Sequence, residues 1–298
     1  MKVKTMHKFD QKTMPIASLH LGEKAIVEVS DTFNGQVEGE TLFLDKLKVD
    51  KLNPATGPFY IKSTSPNETL VVDIHEIKLD TMGASVVLKD LGVLGEKVEN
   101  STKYLYHLND QKVKVDNQDL EISPFISILG NTPEAPISTG VPESHGGKLD
   151  CPSIKKNSKV LLPIFYPGSL LALGGIKAIQ GYGQVGGTGI ECSGELTFSC
   201  SKMMLDSLKN PMVISEDSYE ILCSDYSIDK AIHKAANQWC QLLMEICGFS
   251  FTKSYHYLSI LADTRVVQVV NPNVTVSLSI SRKNILERVK IFFEPLDN

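Results

Sequence analysis

Between His145 and Cys192 the chain reads HGGKLDCPSIKKNSKVLLPIFYPGSLLALGGIKAIQGYGQVGGTGIEC. Glycines cluster there, and two lysines, Lys148 and Lys177, stand beside them. Such turns expose backbone and polar groups, as chemical sites require. An ammonium at the usual lysine pKa of about 10.4 has no lone pair for a metal or a proton. A lysine whose pKa is lowered by a second cation becomes a nucleophile or base. The plain alternative is that both lysines are solvent-facing turn residues. Cys192 offers a thiol nucleophile. Its neighbours alternate as in a strand and no histidine adjoins it, which favours a buried core thiol. The stretch has no Gly-Lys-Ser/Thr and no following helix, so it is neither a phosphate loop nor a dinucleotide fingerprint.

The elements that must position these residues are mostly strands. EKAIVEVSD sets Ala25, Val27 and Val29 on one side. TLVVDIHEIKL does the same with Leu70, Val72, Ile74 and Ile77, and ELTFSCSKM with Leu196, Phe198 and Cys200. Period-two alternation with β-branched residues predicts half-buried strands. In LNPATGPFYI, Pro54, Gly57 and Pro58 predict a loop or turn before an apolar edge. KVKVDNQDLEISP reads as two short strands around Asp116-Asn117. After about residue 215 the pattern changes. Ile228, Ile232, Ala235, Trp239, Leu242, Leu243 and Ile246 recur at helical spacing, with Ser227 as N-cap and Gly248 as stop. A second helix over TKSYHYLSILAD and strands in RVVQVVN and NVTVSLSIS follow. The expected fold is mainly β, a β-sandwich-like body over 1–215 with a smaller α+β portion over 216–298 packing on it.

Composition narrows the function. The chain has 298 residues, 42% hydrophobic, with net charge −5, and so lacks the basic surface that nucleic acid or anionic membrane requires. No apolar run reaches membrane-span length, and MKVKTMHKFD has no apolar core segment, so the expected compartment is the cytoplasm. Six cysteines without C-x-x-C spacing suit free, buried thiols in a reducing environment. His75 and His233 read as surface or packed residues, and Trp239 as core.

Several words together resemble the acetamidase/formamidase family of amide hydrolases. HGGKLD is similar to its His-Gly-Gly-Asn-x-Asp. LLPIFYPGSLLALGGIKA and GYGQVGGTGIE are similar to its strand, its Gly-Asp-x-His-Ala and its Gly-Asp-Gly-Glu. SDTFNGQV, NPATGPFYI, ETLVVDIHEI and LADTRVVQVVN extend the match along nearly the whole chain, in order. The resemblance implies a β-sandwich-like body and a divalent metal, zinc or calcium, that helps water attack a small amide. It places Asp31, His145, Asp150, Lys177 and Gln184 at catalytic positions. Gln36, Lys148, Tyr182 and Asp263 fall at substrate-binding ones, and Gln268 also matches.

The match departs where the chemistry should be. Lys148 stands for the family's Asn, Gly175 and Lys177 for an Asp and a His, and Tyr182 and Gln184 for an Asp and a Glu. Gln184 cannot transfer a proton at neutral pH. Two ammonium groups would neutralise the carboxylates Asp31, Asp150 and Asp263 in place of a dication. No cofactor is therefore expected; if a metal binds, Asp31, His145 and Asp150 are its ligands.

Three functions follow from this. One is a hydrolase of small linear amides with an altered metal site. The second is a catalytically inactive relative that binds small molecules or an oligomer partner. The third is another enzyme in which Lys177, its pKa lowered by Lys148, is nucleophile or base. A homodimer or larger assembly is expected, because LLPIFYPGSLLAL is more apolar than one strand face needs.

Overall fold

The computed structural model describes residues 5–37, 46–109, 111–293 and 295. Strands dominate. Among the described residues fifteen of them join in one sheet, antiparallel but for the pairing of Ala17–Leu19 with Ala55–Ile61. The sheet curls over its own core. Phe59 and Phe198 lie on strands separated in sheet order by Leu171–Ile179, yet their rings meet edge to face at 5.7 Å. The mainly β body and the α+β C-terminal part are as the alternation predicts.

The segment LNPATGPFYI corrects one expectation. Ala55–Ile61 is a strand of the sheet, with every residue buried except Tyr60. Its pairing with Leu171–Ile179 shifts between Leu171 and Leu173, and this bulge accommodates a proline that has no N–H to give the ladder. A second difference bears on the site. The strand beginning at Thr69 runs on to Val87, eight residues beyond the stretch that alternates clearly, and its far half pairs with Thr102–His107. The hairpin Lys112–Val115/Gln118–Glu121 forms as expected.

The helix Ile228–Cys247 matches its stripe, with Ala235, Trp239, Leu242 and Leu243 buried against the strands Ser218–Asp225 and Val274–Ser281. Trp239 is core, and its Nε1–H donates to the Leu278 carbonyl at 2.7 Å. Ile228, at the first turn, is instead 40% exposed. Ser227 takes the extended N-cap conformation, but its hydroxyl donates to Asp229 at 2.6 Å rather than capping the helix. Gly248 ends the helix in the left-handed region. The helix Phe251–Leu261 follows as expected, and Glu287–Phe293 is a third, unanticipated helix. The sheet passes from the early strands into the late ones through Lys159–Pro163, Met212–Ile214 and Ser218–Asp225.

The apolar run LLPIFYPGSLLAL is absorbed by this fold. Leu161, Leu162, Leu170, Leu171, Ala172 and Leu173 are buried within the chain itself. Among the described residues no helix is long and apolar enough to cross a membrane. The six cysteines are free and buried.

Candidate functional site

Sheet register builds the site. Phe125–Asn131 lies between the short strand Gly146–Lys148 and the long strand Leu171–Ile179, pairing Ile128 with Lys148 and Phe125 with Lys177. On its other side Lys177 is the direct partner of Glu191. Opposed residues of an antiparallel pair share a face, so an ammonium and a carboxylate meet there. Asp150 follows Lys148 in a left-handed conformation, φ +51°, with its N–H bound to the Ser127 carbonyl at 3.0 Å. A short polar side chain tolerates that backbone better than most.

The result is a buried four-charge cluster. Lys177 Nζ lies 2.6 Å from Asp150 Oδ1 and 3.1 Å from Glu191 Oε1, and Lys148 Nζ lies 3.3 Å from Asp150 Oδ1. Asp150 Oδ1 is thus shared between the two ammonium groups. Neutral groups complete the shell. Lys177 also donates to Gln180 Oε1 at 2.6 Å, and Asn271 Nδ2 donates to Asp150 Oδ2 at 2.8 Å. The Thr32 hydroxyl donates to Glu191 Oε2 at 2.7 Å. Lys148 reaches the hydroxyls of Thr32 at 3.3 Å and Ser127 at 3.4 Å.

The two lysines diverge electrostatically. Burial works against the charge on Lys177, but Asp150 and Glu191 outweigh it and hold its pKa above the ordinary range. Burial dominates at Lys148. Asp150 offsets it only in part and the charge of Lys177 adds to it, so this pKa is lowered. The lysine with the depressed pKa is thus Lys148, not Lys177 as the sequence reading had it. Asp150 resists burial because both lysines face it, and its pKa falls below the usual carboxylate value.

Asp31 stands at the edge of this cluster. Its carboxylate accepts the N–H groups of Phe33 at 2.7 Å and Gly35 at 2.9 Å, and its own N–H is held by Ser193 Oγ at 3.0 Å. Burial raises its pKa, and the neighbouring charge of Glu191 adds to that. Asp31, Glu191, Cys192 and Ser193 line a cleft of about 480 Å³ together with Leu79–Ala84 of the long strand, whose Ala84 is the ladder partner of Glu191. Glu191 therefore stands between the cleft and the Lys177 ammonium. Burial raises the pKa of the Cys192 thiol, which suits a core thiol rather than a nucleophile.

The other residues singled out in the sequence are dispersed. His145 is buried edge-on to Phe9 at 4.9 Å, and among the described residues neither ring nitrogen has a hydrogen-bond partner. Burial lowers its pKa to about 4. Gln184 Nε2 donates to the Gly187 carbonyl at 2.7 Å, bracing its own turn. Gln36 braces the loop around Phe33 and Lys48. Gln268 holds the turn at Asn271. Tyr182 and Asp263 line a different cleft. Of the residues expected to converge, Asp150, Lys148 and Lys177 meet and Asp31 stands beside Glu191, whereas His145 and Asp263 lie apart. Sequence reasoning left out Glu191, Thr32, Ser127, Gln180 and Asn271. Glu191 alone had a signal, in a strand that pairs back on that of Lys177 after a glycine-rich turn.

These residues do not suit a dication. It would have to share Asp150 with two ammonium groups, while Asp31 is already engaged by backbone N–H groups. Among the described residues no group of three or more His, Cys, Asp or Glu side chains gathers as metal ligands.

Residues 134–287, which hold most of this cluster, match the model of the acetamidase/formamidase family. The chain belongs to that family. An acetamidase from Bacillus halodurans superposes with a TM-score of 0.90 at 29% identity, covering 98% of this chain and 97% of that one. A protein of Thermoanaerobacter tengcongensis, described as a predicted acetamidase/formamidase, gives 0.89 at 30% identity over 94% and 93%. A Schizosaccharomyces pombe protein described as a candidate formamidase is 23% identical over 267 residues, 66% of this chain. The match spans 64% of that relative's length.

Proposed function

We propose that the chain is a small-amide-binding member of its family in which two lysines stand in place of a dication. Lys177 carries this reading: it is fully buried, with its ammonium 2.6 Å from Asp150 and 3.1 Å from Glu191. A metal acidifies water by holding it on a cation that these carboxylates would have to ligate. Here they are committed to ammonium groups. The adjoining cleft, about 480 Å³, is of ordinary small-ligand size. Asp31 supplies an acceptor for an amide –NH₂, and Ser193 supplies a hydroxyl for its carbonyl. Leu79, Ala84 and Leu105 offer apolar wall for a short alkyl group.

One observation favours residual hydrolysis as a second reading. Lys148, its pKa lowered, lies 3.4 Å from the Ser127 hydroxyl. A neutral Lys148 would take the Ser127 proton as that oxygen attacks the amide carbon and pass it to the departing nitrogen, which leaves as ammonia; water would then hydrolyse the acyl–Ser127 ester. Ser127 and Lys148 are both buried, which favours the binding reading.

Calorimetric titration with acetamide and propionamide, ammonia release and elemental analysis test these together. The expected result is saturable amide binding that Asp31→Asn weakens, without ammonia release or stoichiometric metal. One tightly held zinc or calcium per chain, with chelator-sensitive ammonia release, would overturn it. A cytoplasmic location belongs to the same proposal, supported by six free, buried thiols. Self-association rests on family likeness alone, since the apolar run that suggested it is consumed by the chain's own core. A single sedimenting species of 32.8 kDa at micromolar concentration would end that part.

A further inference from the structure

A second cleft, of about 450 Å³, is polar and shares no lining residue with the first. At its floor lies Glu220, only 2% exposed. Three serine hydroxyls donate to its carboxylate. Ser153 and Ser218 each reach Oε1 at 2.8 Å, and Ser277 reaches Oε2 at 2.8 Å. Among the described residues no lysine or arginine forms an ion pair with it.

A carboxylate this deep is normally paired with a cation or protonated. Three hydroxyl donors fill part of its acceptor capacity but bring no positive charge. A carboxylate offers about four acceptor positions, so Oε2 keeps one for a further donor. The rim does not supply it. Arg265 lies over the Tyr182 ring, 5.4 Å from its centroid. Lys155 and Arg265 are matched in number by Asp217 and Asp263, which leaves the charge of Glu220 in excess among the lining side chains. Tyr182 OH meets Ser153 Oγ at 3.0 Å, placing a second polar group beside the floor.

We infer that this cleft binds a small organic ligand through a primary ammonium group seated on Glu220, with the hydroxyls of Ser153 and Tyr182 beside it. The ammonium supplies both the missing charge and the missing donor. A quaternary ammonium brings the charge without an N–H, and a carboxylate ligand meets the excess negative charge. The site is separate from the amide cleft, so its occupancy is independent of amide binding.

Titration of the full chain with ethanolammonium, tetramethylammonium and acetate at low salt tests this. Saturable binding of ethanolammonium is expected, at least tenfold tighter than that of the other two. Glu220→Gln should abolish it and leave amide binding unchanged. Because Glu220 is buried, a second variant at the exposed rim, Asp263→Lys, covers the case in which Glu220→Gln does not fold. It should weaken ethanolammonium severalfold and acetate not at all. Failure of ethanolammonium to bind at millimolar concentration, equal binding of tetramethylammonium, or binding kept within twofold by either variant would overturn the inference.

Discussion

Lys177 and Glu191 are direct cross-strand partners, and their side chains form an ion pair of 3.1 Å with neither exposed to solvent. With Asp150 and Lys148 this pair forms a buried, ion-paired cluster.

Removing one partner of that cluster should be costly. Lys177→Met leaves Asp150 and Glu191 facing each other without their main counter-charge. The expected loss is about 3–5 kcal/mol in urea unfolding. Lys78→Met removes an exposed pair with Glu195 at 3.5 Å and should cost less than about 1 kcal/mol. Equal effects from the two substitutions would contradict a buried cluster.

His145 should impose a pH dependence of its own. Its folded pKa, about 4, lies below the ordinary 6.5, so the unfolded chain binds the extra proton between these values. Its neutral burial is fully compatible with the fold above pH 6.5. Stability falls as pH drops toward 4, by about 3 kcal/mol in total. Asp31, whose raised pKa means that the folded state holds the proton more tightly, contributes the opposite slope over part of this window. The test is therefore the wild type minus His145→Gln. That difference should shrink by about 3 kcal/mol from pH 7 to pH 4. Asp150, with a lowered pKa, loses its stabilisation only below the unfolded carboxylate value, and Lys177, with a raised one, only at pH above the unfolded lysine value.

Gly175 should resist restoration of the family's Asp. It has φ +62°, and a Cβ there would lie 2.3 Å from Ser127 Oγ. Gly175→Asp alone should lower the unfolding midpoint by the equivalent of roughly 2 kcal/mol or more. Adding Ser127→Gly should relieve part of this. With Lys148→Asn and Lys177→His as well, the chain should gain zinc affinity before it gains turnover, since ligand type precedes fine geometry. Elemental analysis and ammonia release, read in parallel, check the order.

Trp239→Phe should cost roughly 2 kcal/mol, because it removes the Nε1–H bond to the Leu278 carbonyl and leaves space in a closed core. Thermal unfolding followed by circular dichroism measures it, and a change below about 0.5 kcal/mol would show that the Nε1–H bond contributes little.

What the sequence determined by itself is what repeats along the chain. Alternation in EKAIVEVSD and ELTFSCSKM marks strands, and the stripe through Ala235 and Trp239 marks the long helix, because each period maps one-to-one onto a buried face. The family words placed Lys148, Asp150 and Lys177 together, and Asp31 beside them. What only the tertiary structure decided is set by pairing between distant segments. Ala55–Ile61 joins the sheet despite two prolines in its neighbourhood, because a bulge in it between Thr56 and Phe59 absorbs the missing donor. Glu191 enters the cluster through its register with Lys177, and Thr32, Ser127 and Asn271 through strands and turns that no local pattern links. Asp263 leaves it because its strand pairs with Val274–Ser281 and opens onto the second cleft. Which lysine has its pKa raised and which lowered is likewise a sum over neighbours: Lys177 has two carboxylates within ion-pair distance, and Lys148 has one.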